Sequence, residues 1–299
     1  MKVLVFGAAG QVGHEVTRAA WPSSFEVIAA DRSKADITKA AAIGAVITRC
    51  EPGLVINLAA YTAVDRAESE AEMAWAANCA GAAHIARLCS ERSIPIIHLS
   101  TDYVFDGRKA GPYEEDDDVN PLSVYGRSKE AGERAVRAAT TQHVILRTSW
   151  VYGAHGTNFV KTMLRLGRER PVLRVVADQH GCPTAAAEIT SSLVRIADEI
   201  QRGSAIWGTY HFAGSGSTSW HGFAEEIVDL GTRYGAWPIG SRPRVEPITT
   251  DQYPTPAHRP MNSVLDCGKI AEELGISAPP WQTSLMPVVR ELLERENIR

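Results

Sequence analysis

The chain has 299 residues, of which 44% are hydrophobic and 22% charged, so it is long enough to bury one large core or two smaller ones. Its 31 basic and 35 acidic residues give a net charge of −4, and no basic surplus predicts a nucleic-acid polymer as partner. The five cysteines lack C-x-x-C spacing and no apolar run is long enough to span a membrane, which argues against a disulfide framework, a zinc–cysteine site and a membrane partner. We therefore expect a cytoplasmic protein.

The first predicted strand, residues 2–6, runs into a glycine-rich turn and then a helical pattern. This order is the context that a dinucleotide-binding fingerprint requires. Gly7 permits the tight turn, Gly10 lets the backbone approach a pyrophosphate, and Gly13 lets the helix pack closely on the strand. The helix N-terminus then points its N–H groups at the phosphates. The coenzyme candidates in this segment are Gly7, Gly10, Gln11, Val12 and Gly13.

The second predicted strand, residues 25–30, ends at Asp31. A carboxylate there binds the adenosine ribose hydroxyls and repels a 2′-phosphate, whereas the adjacent Arg32 attracts that phosphate. The two signals conflict, so the choice between NADPH and NADH stays open. Asp36 and Ile37 begin the next predicted helix, where we expect them to lie by the adenine. Alternatively, the Asp36 carboxylate caps the N-terminus of this helix.

A buried-type strand over residues 54–60 ends in small residues, as a strand end needs where a coenzyme lies against it. Ala60 is the last of them, and Tyr61 and Thr62 follow. We therefore add these three residues to the coenzyme candidates.

A tyrosine and a lysine at helical spacing form the candidate catalytic pair. Tyr125 and Lys129 are four residues apart in a predicted helix over 123–137, so both side chains lie on one face. A free tyrosine titrates near ~10, and a nearby cation lowers that pKa towards the range useful for acid–base catalysis. Thr101, at the end of a predicted strand over 94–99, can orient a carbonyl for the tyrosine. The alternative is a surface tyrosine beside a solvated lysine.

Strands alternate with helices through the first half, which predicts an α/β fold with a Rossmann-type doubly wound parallel sheet. We assign residues 1–148 to a dinucleotide-binding domain. Ligands of such sheets bind at the carboxyl ends of the strands. The glycine-rich turn, Asp31, Ala60 and Thr101 all follow predicted strands, so we expect them to converge at one edge.

Residues 149–299 have a less regular pattern, and we expect them to form mainly a smaller mixed α/β substrate-binding domain. Its predicted helices cover residues 158–168, 186–200, 219–233, 268–274 and 283–294, with short strands at 172–176 and 210–212. The helix over 186–200 is expected to pack back on the first domain.

Several strings along the chain carry a more specific resemblance. They are GQVG (10–13), AAYTAVD (59–65), STDYVFDG (100–107), RTSWVY (147–152), NFVKTM (158–163) and YPTPAHRP (253–260). With the glycine-rich turn and the set Thr101, Tyr125 and Lys129, they resemble the dTDP-4-dehydrorhamnose reductase family of the extended short-chain dehydrogenase/reductase superfamily. The resemblance covers nearly the whole chain in order.

The resemblance implies that NADPH or NADH reduces the C4 ketone of a dTDP-linked 6-deoxy-4-keto sugar, giving dTDP-L-rhamnose. Tyr125 would give a proton to the developing alkoxide, and Thr101 would hydrogen-bond that oxygen. Lys129 would lower the pKa of Tyr125 and bind the nicotinamide ribose. For the sugar nucleotide, the resemblance implies Thr101, Asp102, Trp150, Asn158, Lys161 and Arg259.

Two other functions stay open. One is a ketoreductase or epimerase for another nucleotide sugar, and the other is a non-catalytic regulatory subunit of the same fold. A homodimer also stays open, because some relatives dimerise around magnesium held by glutamates. Glu15, Glu188 and Glu291 are the counterparts here, but surface carboxylates are more often merely solvated, so we predict no metal.

Overall fold

A computed structural model describes residues 1–297 of the chain. The strands are β1 (Lys2–Phe6), β2 (Glu26–Ala30), β3 (Leu54–Asn57), β4 (Ile96–Thr101), β5 (His143–Thr148), β6 (Val151–Tyr152), β7 (Val172–Val176), β8 (His180–Gly181), β9 (Thr184–Ala185), β10 (Gly208–His211), β11 (Thr218–Ser219) and β12 (Arg244–Ile248). The helices are α1 (Gln11–Arg18), α2 (Ala40–Cys50), α3 (Val64–Ala67), α4 (Ala71–Trp75), α5 (Ala82–Ser90), α6 (Val124–Ala139), α7 (Phe159–Glu169), α8 (Ala186–Gln201), α9 (Trp220–Arg233), α10 (Gly268–Leu274) and α11 (Trp281–Asn297). A π-helical segment, Ala76–Gly81, joins α4 to α5, and 3₁₀ turns cover Asp102–Val104 and Thr250–Gln252.

The central sheet has six parallel strands in the order β10-β5-β4-β3-β1-β2. Four of its strands, β1, β3, β4 and β5, are almost wholly buried apolar runs, as expected for a parallel sheet covered on both faces. The predicted doubly wound α/β fold is therefore confirmed.

Side chains alternate between the two faces of the sheet and fix which helices cover each one. Val3 and Val5 of β1 pack in one cluster with residues of α1 and α8. Leu4 and Phe6 pack in the opposite cluster with residues of α2 and α5. A one-residue shift of β1 would exchange these two faces, so the alternation holds the strand in register.

The second half has a core of its own around Phe223 of α9, which is fully buried. Apolar residues of α7, α9 and α11 meet there with those of β7 and β12, which pair in parallel as a small separate sheet. Two elements of this half lie elsewhere: β10 adds the sixth strand to the central sheet, and α8 packs against α1. The two halves therefore share one continuous scaffold.

Two boundaries near the coenzyme candidates differ from expectation. Helix α2 begins at Ala40 rather than at Asp36, because the Asp36 carboxylate accepts hydrogen bonds from the backbone N–H and hydroxyl of Thr38 and forms a local turn. Strand β3 ends at Asn57 rather than Ala60, so residues 58–63 are irregular. Within residues 1–297, no helix combines the length and apolar character needed to cross a membrane.

Candidate functional site

The glycine-rich turn after β1 depends on backbone contacts that a side chain would block. Gly7 has a φ of 80°, and a Cβ built there would lie 2.5 Å from the backbone nitrogen of Ala59. A Cβ on Gly13 would lie 2.2 Å from the Gly7 carbonyl oxygen. Both glycines therefore let α1 and the residues after β3 approach the turn closely.

The first turn of α1 is open to an anionic ligand. Its N-cap residue is Gly10, which supplies no side-chain cap. The first N–H groups of a helix have no partner within the helix, and together with the helix dipole they favour a phosphate. This arrangement fits the pyrophosphate of a dinucleotide coenzyme.

A cleft of about 740 Å³ lies beside this turn, at the carboxyl ends of β1, β2 and β3. Eight predicted coenzyme residues line it, namely Gly7, Gly10, Asp31, Arg32, Asp36, Ile37, Ala60 and Tyr61. Six other predicted coenzyme residues are not among its lining residues, namely Gln11, Val12, Gly13, Thr62, Tyr125 and Lys129. Val12 and Gly13 are buried beneath the turn. Pockets for small ligands and cofactors usually have volumes of ~300–1,000 Å³, so this cleft has room for part of a dinucleotide.

The cleft rim carries the two conflicting charges identified in the sequence. The Asp31 carboxylate accepts from the Ser33 hydroxyl at 2.6 Å and from the Ser33 and Lys34 backbone N–H groups at 2.9 and 3.1 Å. These hydrogen bonds lower the pKa of Asp31, and the bond from the Ser33 hydroxyl contributes most. The carboxylate therefore keeps its negative charge at neutral pH. Arg32 is exposed, and its Nε lies 3.6 Å from an Asp36 carboxylate oxygen. Both charges face solvent where a ribose or its phosphate would lie.

Asn78, which the sequence analysis did not single out, positions two parts of the site. Its side-chain oxygen accepts from the Tyr61 backbone N–H at 2.7 Å, and its amide group donates to the Ser128 hydroxyl at 3.0 Å. Ser128 in turn donates to the Tyr125 carbonyl at 2.8 Å. The π-helical segment that carries Asn78 thus connects the coenzyme cleft to α6, and such segments are frequent at functional sites.

Thr101, Tyr125 and Lys129 lie close together at the end of β4. Helix α6 begins immediately after Ser123, whose hydroxyl accepts from the Gly126 N–H, and this cap places Tyr125 in the first turn. The Thr101 hydroxyl lies near the Tyr125 phenol and acts to lower the pKa of Tyr125. Lys129 is 3% exposed, and its ammonium group donates to the Leu99 carbonyl of β4 at 2.6 Å.

The electrostatics of this pair differ from our expectation. Burial raises the pKa of Tyr125 to about 12, and the nearby Thr101 hydroxyl only partly opposes that rise. Lys129 is not among the groups that act on the Tyr125 pKa, because its ammonium group is directed at the strand carbonyl. The prediction that Lys129 lowers the pKa of Tyr125 is therefore wrong for the protein without a bound ligand. The phenol is protonated at neutral pH and can act as a proton donor.

A buried carboxylate one turn further along α6 supports Lys129. Burial lowers the pKa of Lys129 to about 8, and the negative charge of Glu133 opposes that shift. Glu133 is itself held by Arg147, with an Nη2–Oε2 distance of 2.8 Å, and accepts from the Ser100 hydroxyl at 2.5 Å. The sequence analysis missed this residue, although its i+4 spacing from Lys129 was a signal.

Asp102 has an unusual environment for a carboxylate. It is 2% exposed, Oδ1 accepts from the Thr101 hydroxyl at 3.0 Å, and Oδ2 has no hydrogen-bond partner within the described part of the chain. Burial raises the pKa of Asp102 to about 7. A buried oxygen without a partner is costly and suits a polar ligand group beside Thr101.

Aromatic side chains dominate the neighbouring face of the second half. Trp150 follows β5 with a φ of 45°, and its ring stacks on Trp220 with centroids 3.6 Å apart. A Cβ on Gly181 would lie 2.4 Å from the Trp150 ring, so glycine is needed there. Trp150 is only partly buried, which leaves ring surface available to a ligand.

Arg259 is held at the site by a residue from the other half of the chain. Its guanidinium donates to the two Asp65 carboxylate oxygens at 2.8 and 3.1 Å and to the Thr255 hydroxyl at 2.7 Å. Its charge also acts on Tyr103, whose ring lies edge-on to that of Tyr125 with centroids 5.9 Å apart. Tyr103 therefore lies between Arg259 and Tyr125, whereas Asp65 gave no pairing signal in the sequence.

Asn158 does not have the free donor groups that we expected. It caps α7, and its amide group donates to the Gln11 side chain at 2.9 Å and to the Gly153 carbonyl at 2.7 Å. Both amide N–H groups are thus used within the protein, and the residue links α7 to the glycine-rich turn. Lys161, in the first turn of the same helix, is partly exposed, and its charge acts on His155.

The site thus combines an open helix N-terminus, a cleft for a dinucleotide, and a phenol, a hydroxyl and an ammonium group at the adjoining strand end. These are the groups needed to bind a nicotinamide coenzyme and to protonate an oxygen beside it. The aromatic face and Arg259 complete a second, polar and aromatic wall.

Comparison with known proteins agrees with this chemistry. Residues 1–294 match the family model described as the RmlD substrate binding domain. The dTDP-4-dehydrorhamnose reductase of Aggregatibacter actinomycetemcomitans is 43% identical over 95% of this chain and 97% of its own.

Two crystal structures are also similar to this chain. The dTDP-4-dehydrorhamnose reductase of Clostridium acetobutylicum superposes with a TM-score of 0.90 at 37% identity, over 98% of this chain and 100% of its own. That of Bacillus anthracis, crystallised in complex with NADP, superposes with a TM-score of 0.88 at 33% identity, over 97% and 99% of the two chains.

Proposed function

Because this chain belongs to the RmlD substrate-binding domain family, in which its close relatives are dTDP-4-dehydrorhamnose reductases, we propose that it reduces dTDP-4-dehydrorhamnose to dTDP-L-rhamnose with NADPH or NADH. The observation that carries this proposal is the joint position of Thr101, Tyr125 and Lys129 at the end of β4. Asn78 and Ser128 link this set to Tyr61 in the lining of the coenzyme cleft. A protein that used only its surface would have no chemical need for this set.

The residues that would hold the coenzyme fit its chemistry. The N-cap residue Gly10, which has no side chain, leaves the first backbone N–H groups of α1 open to the pyrophosphate, and Asp31 offers carboxylate oxygens to the ribose hydroxyls. When bound, the reduced coenzyme supplies the hydride that converts the C4 ketone to an alcohol.

The protein supplies the proton and stabilises the oxygen. Tyr125, protonated at neutral pH, transfers its proton to the C4 oxygen as negative charge develops there. Thr101 orients that oxygen by a hydrogen bond. The buried ammonium group of Lys129, which the Leu99 carbonyl holds in place, would donate to the nicotinamide ribose, and solvent returns the proton to Tyr125.

On the substrate side, Arg259 is the strongest candidate for the pyrophosphate of the sugar nucleotide, because a guanidinium binds phosphate oxygens in pairs. Its contact with Asp65 fixes its orientation. Trp150 offers an aromatic surface to the sugar, and Asp102 offers an unpartnered oxygen to a sugar hydroxyl.

Coenzyme oxidation measured with a substrate panel tests the proposal. Turnover with dTDP-4-dehydrorhamnose, and little with UDP- or GDP-linked keto sugars, is expected. Turnover only with another nucleotide would instead assign a different nucleotide-sugar enzyme, and no turnover with any substrate would leave a non-catalytic role.

The division at residues 148 and 149, a homodimer and a cytoplasmic location are further proposals. Light scattering of the purified chain and cell fractionation test the last two directly.

A further inference from the structure

A cluster of two histidines and a glutamate lies outside the site described above. His14 and Glu15 are adjacent on α1, and His155 lies in the loop between β6 and α7. Their ligand atoms all lie within 4.8 Å of one another, and all three residues are partly exposed. Imidazole nitrogen with carboxylate oxygen is a ligand set that zinc binds in proteins.

The imidazole rings of His14 and His155 lie against each other. Their centroids are 3.2 Å apart and the ring planes are inclined by 31°. In a tetrahedral site with metal–nitrogen bonds of ~2.0–2.1 Å, two ligand nitrogens are separated by ~3.3 Å. The ligand nitrogens of His14 and His155 lie within 4.8 Å of each other, and a rotation of the side chains is needed to bring their lone pairs to that separation.

Cationic groups already contact the imidazole nitrogens. Arg18 lies 3.4 Å from His14 Nδ1, and Arg295 lies 3.3 Å from His155 Nε2. A guanidinium can only donate, so each of these nitrogens carries a lone pair, which is what a metal ion needs. Burial is the main cause that lowers the pKa of both imidazoles, and neighbouring positive charges lower it further. The pKa of His155 falls to about 4.

A metal ion can replace the arginine contacts at the two imidazole nitrogens. Arg18 and Arg295 are both exposed, so each can turn towards solvent. Arg295 also pairs with Glu291, which can keep it nearby after the exchange. Lys161 adds positive charge near His155, and the carboxylate of Glu15 opposes it within the cluster.

We propose that His14, Glu15 and His155 bind one divalent transition-metal ion of the zinc type within a single chain, with water as the fourth ligand. The ligand set differs from three glutamates around magnesium. Only Glu15 is common to both, Glu188 accepts a hydrogen bond from Ser284, and two of the three ligands are nitrogen.

The metal ion would tie the loop before α7 to α1. This loop already rests on the first turn of α1: a Cβ on Gly156 would lie 2.8 Å from Gln11 Cγ, and Asn158 donates to the Gln11 side chain at 2.9 Å. A metal ion bound only by the folded chain stabilises it by mass action. Zinc should therefore raise the melting temperature.

The test uses the full chain without an affinity tag, treated with a chelator and then dialysed. Zinc chloride is titrated by calorimetry, cobalt chloride is followed by visible absorption, and melting is measured with zinc or magnesium. We expect one zinc per chain, the intense absorption of tetrahedral cobalt, and a melting temperature raised by zinc but not by magnesium. His14→Gln and His155→Gln should each weaken zinc binding at least ~tenfold.

His84→Gln is the matched control, because His84 is a partly exposed histidine on α5. It should bind zinc as the wild type does, and circular dichroism checks that every variant is folded. The proposal is overturned if zinc does not bind, if binding persists in both His14 and His155 variants, or if one zinc is shared by two chains.

Discussion

The coenzyme side and the substrate side of this protein are built by different kinds of contact. On the coenzyme side, Gly7 and Gly13 meet within one turn, and Asp31 is held by residues two and three positions further along. On the substrate side, Arg259 is held by Asp65, which lies 194 positions away. Short-range sequence patterns therefore reveal the first side, while the second is formed only when the chain folds.

The two sides meet at α6, where Tyr125 and Lys129 face the end of β4. Substitutions there, and on either side, can separate their contributions. Loss of the shared proton donor should reduce turnover with every substrate and coenzyme. Changes on one side should affect mainly the ligand that binds there.

The largest effect is expected for Tyr125→Phe, which removes the proton donor and little else. Turnover should fall by about 10²–10⁴-fold, the usual contribution of general acid–base catalysis. Coenzyme binding, measured by fluorescence titration, should persist. Tyr234→Phe, which removes a phenol oxygen at the end of α9, is the control and should keep wild-type turnover. Full turnover by Tyr125→Phe would remove this residue from the chemistry.

Glu133→Gln should lower the stability of the protein and should move the alkaline limit of its activity to lower pH. It leaves Arg147, which is 2% exposed, without its buried counter-charge, and breaking such a pair costs about 3–5 kcal/mol in the free energy of unfolding. Urea denaturation measures this loss. Glu130→Gln on the same helix, whose partner Arg134 is exposed, should cost far less.

The same variant tests the state of Lys129. The wild-type pKa of Lys129 is about 8, so turnover that needs the ammonium group should decline as pH rises through that value. Because Glu133 raises this pKa, its neutralisation should move the alkaline limb of the pH–rate profile to lower pH. An unmoved limb in a folded Glu133→Gln protein would contradict the role given to Lys129.

Arg259→Ala should act on the substrate side alone. Hydrogen bonds to charged groups contribute about 1.5–3 kcal/mol, so KM for the dTDP-sugar should rise by about tenfold to a hundredfold. KM for the coenzyme should change little. Arg242→Ala, which removes an arginine paired with Asp229 on α9, controls for loss of a surface ion pair. An equal rise in KM for the dTDP-sugar and KM for the coenzyme would mean that Arg259 affects the binding of both ligands, which contradicts this prediction.

The smallest effect concerns the choice of coenzyme. The opposed charges of Asp31 and Arg32 predict efficiencies with NADPH and NADH within roughly tenfold, or ~1.4 kcal/mol. Asp31→Ala should favour NADPH and Arg32→Ala should favour NADH. Asp31→Asn sharpens the test, because it keeps an acceptor for Ser33 and Lys34 while it removes the charge. An unchanged ratio in both Asp31 variants would show that this carboxylate does not face the ribose.

Much of the coenzyme side could be predicted from the sequence because local rules determine it. The spacing of Gly7, Gly10 and Gly13 and the i+4 spacing of Tyr125 and Lys129 each follow from the geometry of one element. Even there, the start of α2 was misplaced, because a local turn competes with a helix cap when the same carboxylate can make either.

The remaining features required the folded chain. Burial, which the sequence does not give, decides that the pKa of Tyr125 rises and that Lys129 is directed at Leu99. Asn158 was expected to face the substrate, but a residue 147 positions away takes one of its donor groups. Pairings at such separations leave no periodic pattern in the sequence.

The most direct test of the central claim is to follow a deuteride from NADPH that carries deuterium at both C4 positions into the product. With dTDP-4-dehydrorhamnose as substrate, we predict that proton and carbon NMR will identify dTDP-L-rhamnose with one deuterium at C4. The Tyr125→Phe protein should yield the same labelled product at a much lower rate. Unlabelled product, label at another carbon, or no product from the wild type would contradict the assignment of this chain as a C4 ketoreductase.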